Sequence, residues 1–333
     1  MSIITAYSAG KSVEEAVNDI KSKFSNFQVK LLVFFSSPYF APALIAKGMK
    51  EAFPSAQMLG CTTAGEIISG KMLRQSVVAM AFSSGSISDA TIEVMENLKA
   101  GCATRELFSR FEKYYKVPAR MMDPQKYVGI VLADGLSGAE ERLMDGIGNL
   151  TNVTFIGGSA GDDLKFAATH VFANGRAYTN AAVLALVKPV NKFDIIKTQS
   201  FKPLNRKLIA TKVNEAAREV LAFNGKPAAH SYAEAVGVPA AEVAKHFMHN
   251  PVGLMIDGEP YVRSPQQIKG ESMVFYCNIL EGTELCLLES TDIVNDTRQA
   301  IEKKIKEMGG VSGIINFNCI LRTLELDQKG KAG

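Results

Sequence analysis

With 333 residues, 47% of them hydrophobic, the chain is long enough for two domains with sizeable cores. Its formal net charge of +3 comes from Lys and Arg spread along the chain, which excludes the basic stripe of a nucleic-acid binder. The longest apolar runs, such as 181–187, are too short to cross a bilayer and residues 1–10 lack a signal-peptide pattern, so a cytoplasmic protein without membrane insertion is expected.

Ser12 opens a helix to Asn26, with Val13, Ala16, Val17 and Ile20 at helical spacing and Glu15 completing a capping box. A strand at 29–35, a helix at 41–52 and a strand at 57–59 follow. Residues 76–82 and 90–95 read as two strands joined by a Ser/Gly turn, and 104–115 returns to helical period. From Tyr127 the order repeats, with an apolar run at 128–132, a helix at 140–150 and a strand at 153–156. Residues 165–172 and 177–187 then read as a hairpin around Asn174-Gly175. After a change of character at 188–191 come strands at 193–199 and 207–213, a turn at Asn224-Gly225-Lys226-Pro227, and helices at 228–236 and 240–247. A hairpin of 254–257 with 260–263, another of 273–279 with 284–288 turned by Glu281-Gly282, a helix at 292–308 and a strand at 313–318 complete the chain. β-α-β units mixed with hairpins predict an α/β (mixed α+β) fold with layered, partly antiparallel sheets, in domains of 25–190 and 191–325.

The repeat ends in two similar segments. Gly60-Cys61-Thr62-Thr63-Ala64-Gly65-Glu66 and Gly157-Gly158-Ser159-Ala160-Gly161-Asp162-Asp163 stand 97 residues apart, Gly60 to Gly157. Glycines at strand ends let backbone N–H groups approach a carboxylate or phosphate, and Glu66, Asp162 and Asp163 can accept from an amine. An amino-acid-like ligand between the two copies is one reading; tight turns and close packing are the structural alternative.

Five cysteines, Cys61, Cys102, Cys277, Cys286 and Cys319, form no CxxC pair, which excludes zinc and thioredoxin-type motifs. Cys61 and Cys319 follow predicted strands and are the candidates for a thiol-dependent hydrolase or transferase. No local His/Cys signature accompanies them, and structural thiols are favoured.

The two glycine-rich segments resemble the signatures of the FIST N-terminal domain. Asn224-Gly225-Lys226-Pro227-Ala228, Asn250-Pro251-Val252-Gly253-Leu254 and Phe317-Asn318-Cys319 followed by Arg322 resemble the FIST C-terminal domain. The resemblance implies a bacterial sensory module without catalytic activity. It would bind a small ligand and act on a separate histidine kinase or cyclic-di-GMP enzyme. Its implied ligand positions are Gly60, Cys61, Thr62, Gly65, Glu66, Gly157, Gly158, Ser159, Asp162, Arg263, Asn318, Cys319 and Arg322. A homodimer is a separate expectation, not part of the resemblance. Residues 251–254 and 258–265 are similar to the NosP branch of haem-based nitric-oxide sensors. That likeness implies haem as cofactor, with His249 and then His230 as axial candidates and Arg263 as partner to a carboxylate or haem propionate; surface or packing histidines and a solvated arginine are the structural alternatives. Family members carry a further C-terminal segment after the position of Arg322, so a shortened or differently completed second domain is expected.

Overall fold

The structure, a computed structural model, describes residues 2–331. It divides into two compact units, residues 2–194 with Val311–Asn318, and Ile195–Gly310 with 319–331.

The first unit uses one pattern twice. The first copy runs β1 (Ile3–Ser8), α1 (Val13–Lys23), β2 (Leu31–Ser36), α2 (Pro42–Ala52), β3 (Gln57–Thr62), a small hairpin β4 (Glu66–Ile68) and β5 (Lys71–Leu73), and β6 (Val77–Phe82). The second runs β7 (Ile87–Glu96), α3 (Thr104–Tyr115), β8 (Val128–Ala133), α4 (Glu140–Gly148), β9 (Phe155–Ser159), a small hairpin β10 (Val171–Ala173) and β11 (Arg176–Tyr178), and β12 (Ala181–Pro189). Strand orders match, β1-β6-β2-β3 against β7-β12-β8-β9. In each sheet the last pair is parallel and the others antiparallel. The duplication therefore extends one strand and one helix upstream of the segments in which the sequence displays it.

α1 starts as expected. The Glu15 N–H donates to Ser12 Oγ at 3.1 Å, while Glu15 Oε2 accepts from Lys11 N–H at 2.7 Å, one residue earlier than in a standard capping box. Leu31, Val33, Leu59, Ile130, Leu132 and Val183 fill the space between the two sheets. α1 and α2 cover the outer face of the first sheet through Ile20, Ile45 and Met49, and α3 and α4 cover the second through Phe108, Phe111 and Leu143. With apolar layers on both faces, strands lose their polar alternation. That explains the unbroken run 181–187, whose residues alternate between the inter-sheet core and the helix-covered core.

The two strands expected at 76–82 and 90–95 form as β6 and β7, and they belong to different sheets. Two expectations are corrected here. The hairpin around Asn174-Gly175 is only β10 with β11, because β12 leaves to pair with β7 and β8. Residues 311–318 form no strand; Ile315 and Phe317 dock on the inter-sheet core by side chains alone, Phe317 edge-on to Phe35 at 6.1 Å.

The second unit contains β13 (Phe201–Asn214), β14 (Glu219–Phe223), β15 (Lys226–Pro227), α5 (Ala228–Val236), β16 (Val252–Ile256), β17 (Glu259–Arg263), β18 (Pro265–Lys269), β19 (Ser272–Phe275), β20 (Glu284–Ser290), α6 (Ile293–Met308) and α7 (Ile320–Gln328). The strand order is β17-β16-β20-β13-β14-β19-β18, with β15 on β14. The two ends of that order, β17 and β18, are joined by Ser264 alone, so the sheet curls back into a nearly closed barrel. Tyr232 of α5 packs with Phe223, Phe275 and Leu285 in its core.

Here 193–199 is irregular and the strand begins at Phe201. Ala240–His246 forms a 3-10 stretch. The strands on either side of Gly282 do not pair with each other: β19 lies between β14 and β18, and β20 between β13 and β16. α7 was not expected; its N-cap, Cys319, makes no side-chain capping bond, so no cap signal announces it. Among the described residues no helix is long and apolar enough to cross a membrane.

Candidate ligand-binding site

The two glycine-rich segments lie at the C-terminal ends of β3 and β9. Gly60 pairs with Phe34 and Gly157 with Val131 in the parallel ladders, keeping the 97-residue offset on both strands. A Cβ at either glycine would overlap the carbonyl oxygen of its partner, Phe34 or Val131. These two glycines are thus required by close strand approach. Cys61, one residue on, belongs to the inter-sheet core, and burial pushes its thiol up to about 12. That is the reverse of an activated nucleophile.

Beyond the strands the two loops meet. Gly161 N–H donates to Thr62 O at 2.8 Å. Thr62 N–H donates to His170 O at 2.9 Å, and its Oγ1 accepts from His170 N–H at 3.0 Å. His170 is half-buried, and its pKa is lowered by burial against the opposing charge of Asp134.

The acidic residues divide by role. Glu66 is buried and accepts from Thr63 Oγ1–H at 2.6 Å and from Ser76 Oγ–H and N–H at 2.7 and 3.2 Å. Burial holds its carboxyl above the usual range, with Asp163 adding and those hydrogen bonds opposing. Asp162 is also buried and accepts from the N–H groups of Phe166, Ala167 and Ala168 at 3.0, 2.6 and 3.1 Å. Asp163, Leu164 and Phe166 adopt positive φ, which turns the loop tightly enough for one carboxylate to collect all three donors. Both side chains shape their own loops. Ser159 Oγ–H is committed to Glu140 Oε1 at 2.8 Å. Asp163 and Gly158 are exposed, and Gly65 has a φ of 147°.

Asp134, at the end of β8, was not among the sequence candidates. It is buried, accepts from Leu136 N–H at 2.9 Å, and also takes Thr169 Oγ1–H and Asn180 N–H. Its counterpart in the first copy is Ser37, whose Oγ accepts from Tyr39 N–H at 3.1 Å. Aligning the copies over that strand end was the signal that could have found it.

Gly60, Cys61, Thr62, Gly65, Glu66, Gly157, Gly158, Ser159 and Asp162 thus belong to one unit, as does Asn318, directly after the docked Phe317. Arg263, Cys319, Arg322, His230 and His249 belong to the other. Arg263 points its guanidinium at its own strand, 3.3 Å from Val262 O. Arg322, its pKa lowered by burial, donates to Thr297 Oγ1 at 2.5 Å, and Cys319 is exposed.

A haem needs an axial nitrogen, apolar faces and a cation for its propionates. His249 is exposed at the surface with Nδ1 2.6 Å from Ser290 Oγ. His230 fits better: it opens onto a cleft with Pro227, Val238, Pro239 and Lys226, although Lys226 is paired with Glu234 at 2.9 Å.

Comparison with known families and proteins agrees with the motif pattern. The FIST N domain model matches residues 30–226 and the FIST C domain model 228–332. An uncharacterized protein of Methanocaldococcus jannaschii is 24% identical over 297 residues, 83% of this chain and 57% of that protein, so the chain spans little more than half the relative's length. No solved structure matches the chain.

Proposed function

The chain belongs to the FIST family, whose domains are associated with sensing small ligands in signal transduction, and from that premise we propose a sensor whose ligand binds at the paired loops 60–66 and 157–163. The ligand class is an amino acid or a small molecule of the same amine and carboxylate chemistry. The observation that carries this is the Gly161 N–H bond to Thr62 O, which joins the two loops at the ends of parallel strands. Ligand sites favour such strand ends. Asp163 is the exposed carboxylate there, and Glu66 is the buried one close enough to feel its charge. A ligand ammonium at Asp163 offsets the repulsion between the two. Asp162 keeps the loop that presents Asp163 in shape, and the open space at Gly158 leaves room for the rest of the ligand. The reading contains no catalytic step. The ligand must favour one loop arrangement over another to signal, and the signal leaves by contact with a separate histidine kinase or cyclic-di-GMP enzyme.

Thermal shift with a panel of amino acids tests it. One or more should raise the Tm, and Asp163→Asn should lower the affinity at least about tenfold, the loss of one charge-assisted contact. A panel that leaves the Tm unmoved, or an Asp163→Asn variant that binds like the parent, would sink the reading. The His230 cleft favours one second reading, a haem-based nitric-oxide sensor. Haem-reconstituted protein should then show a Soret band that His230→Ala abolishes; a featureless spectrum ends that reading and leaves the first intact.

A further inference from the structure

In the parallel ladder of β8 and β9, Thr154 O accepts from Gly129 N–H and Ala160 N–H donates to Ala133 O. Residues 154, 156, 158 and 160 therefore direct their backbone groups at β8. The N–H and C=O of Phe155, Gly157 and Ser159 point the other way. Their counterparts, at the same 97-residue offset, are Met58, Gly60 and Thr62. Those are taken up in the structure: β10 pairs along β3, Asn174 N–H donates to Met58 O, and Thr62 N–H donates to His170 O. Among the described residues no strand pairs with the outer side of β9. The hairpin β4–β5, which stands in the first copy where β10–β11 stands in the second, does not complete the symmetry.

Open sheet edges are normally guarded by charge or proline. β7 carries Asp89 and Glu93, β11 Arg176, β17 Glu259 and Pro260, and β18 Pro265 and Lys269, while β1, Ile3–Ser8, carries no charge or proline. β9, Phe155-Ile156-Gly157-Gly158-Ser159, has neither. Exposed apolar side chains stand near it, among the charged groups of Asp163 and Lys165. Leu164 and Phe166, in the loop that follows, are 43% and 54% exposed. Met144 of α4 is 41% exposed and stands one turn beyond Glu140, which holds Ser159.

We propose that β9 is the dimerisation edge of this chain, pairing antiparallel with β9 of a second copy about a two-fold axis at Gly157. Gly157 then faces Gly157, and Phe155 faces Ser159 twice over, so all three outward residues exchange hydrogen bonds with the partner. A second copy fits because the strand pairing is self-complementary and β9 itself brings no charge to the axis. A stable dimer buries about 800 Å² per partner, more than five strand residues supply. Leu164, Phe166 and Met144 provide the additional apolar area.

The test is molar mass by sedimentation equilibrium across the micromolar range, with hydrogen exchange on the same samples. The parent protein should have twice the chain mass, with slow exchange at the Phe155, Gly157 and Ser159 amides. Ser159→Pro removes one outward N–H at a strand end, where proline is tolerated, and should give the monomer mass. Phe166→Glu puts like charges beside the axis and should do the same; it decides the matter if Ser159→Pro fails to fold. A monomeric parent overturns the proposal, including one whose three amides are slow because another segment of the same chain covers them. So does a dimer that neither folded variant disturbs.

Discussion

β3 and β9 hold the same position in duplicated sheets, yet one is enclosed and the other ends its sheet. β3 has β2 on one side and β10 on the other; among the described residues β9 pairs with β8 alone. The difference separates what the duplication needs from what it leaves free to change. Backbone geometry is kept: Gly60 against Phe34 and Gly157 against Val131 make the same close approach. The polar groups at the strand ends have diverged, with Ser37 facing Asp134 in the alignment and Glu66 facing the Asp162-Asp163 pair. The shared feature is structural; of the divergent acids, Glu66, Asp134 and Asp162 are buried and Asp163 is exposed.

The strongest test of that division is symmetric. Gly60→Ala and Gly157→Ala should each destabilise by about 3 kcal/mol or more, because the clash is with backbone that cannot step aside. Gly158→Ala, whose Cβ would enter open space, should stay within about 0.5 kcal/mol. Urea unfolding of the three variants checks this, and unequal costs for Gly60 and Gly157 would break the equivalence of the copies.

A smaller effect probes the divergence. Asp134→Ala strands the buried hydroxyl of Thr169 and the half-buried N–H of Asn180 and should cost roughly 2–3 kcal/mol. Ser37→Ala loses only the turn bond to Tyr39 N–H and should cost about 1 kcal/mol or less. The same unfolding measurement compares them. Equal costs would mean that Asp134 does no more than close its turn.

What the sequence displays and what it hides follow the same line. Local signals are legible: the Ser12 cap, the helix over 104–115, and the Asn174-Gly175 turn all stand where expected. Pairing between distant strands is not, because an unbroken apolar run such as 181–187 fits any interior position in a sheet covered on both faces. Gly282 does turn the chain with φ of 83°, but the strands beside it find partners elsewhere. Residues 313–318 alternate as a strand would, and instead Ile315 and Phe317 dock by side chains, which periodicity cannot distinguish. At the candidate site the motif glycines and Glu66 were legible as a pair of loops. That Glu66 and Asp162 spend their oxygens on their own loops was not, since it depends on Ser76 and on residues 166–168 folding back.

The finest prediction concerns pH at Glu66. Burial, chiefly, and the nearby Asp163 raise the pKa of its carboxyl in the folded state. The folded protein then holds this proton to a higher pH than the unfolded chain does, so the contribution to stability is present at low pH. It is lost as pH rises from the ordinary glutamate range through the raised value. Glu66→Gln keeps an oxygen for the Ser76 donors and an amide that Thr63 Oγ1 can accept, while removing the titration. Its stability should therefore fall less steeply than the parent's over that window. Asp163→Asn, which removes only the added repulsion, should lie between the two. Chemical denaturation at a series of pH values measures all three slopes. Parallel curves for the parent and Glu66→Gln would mean that this carboxylate is solvated, and the contrast drawn between the buried acid of the first loop and the exposed acid of the second would go with it.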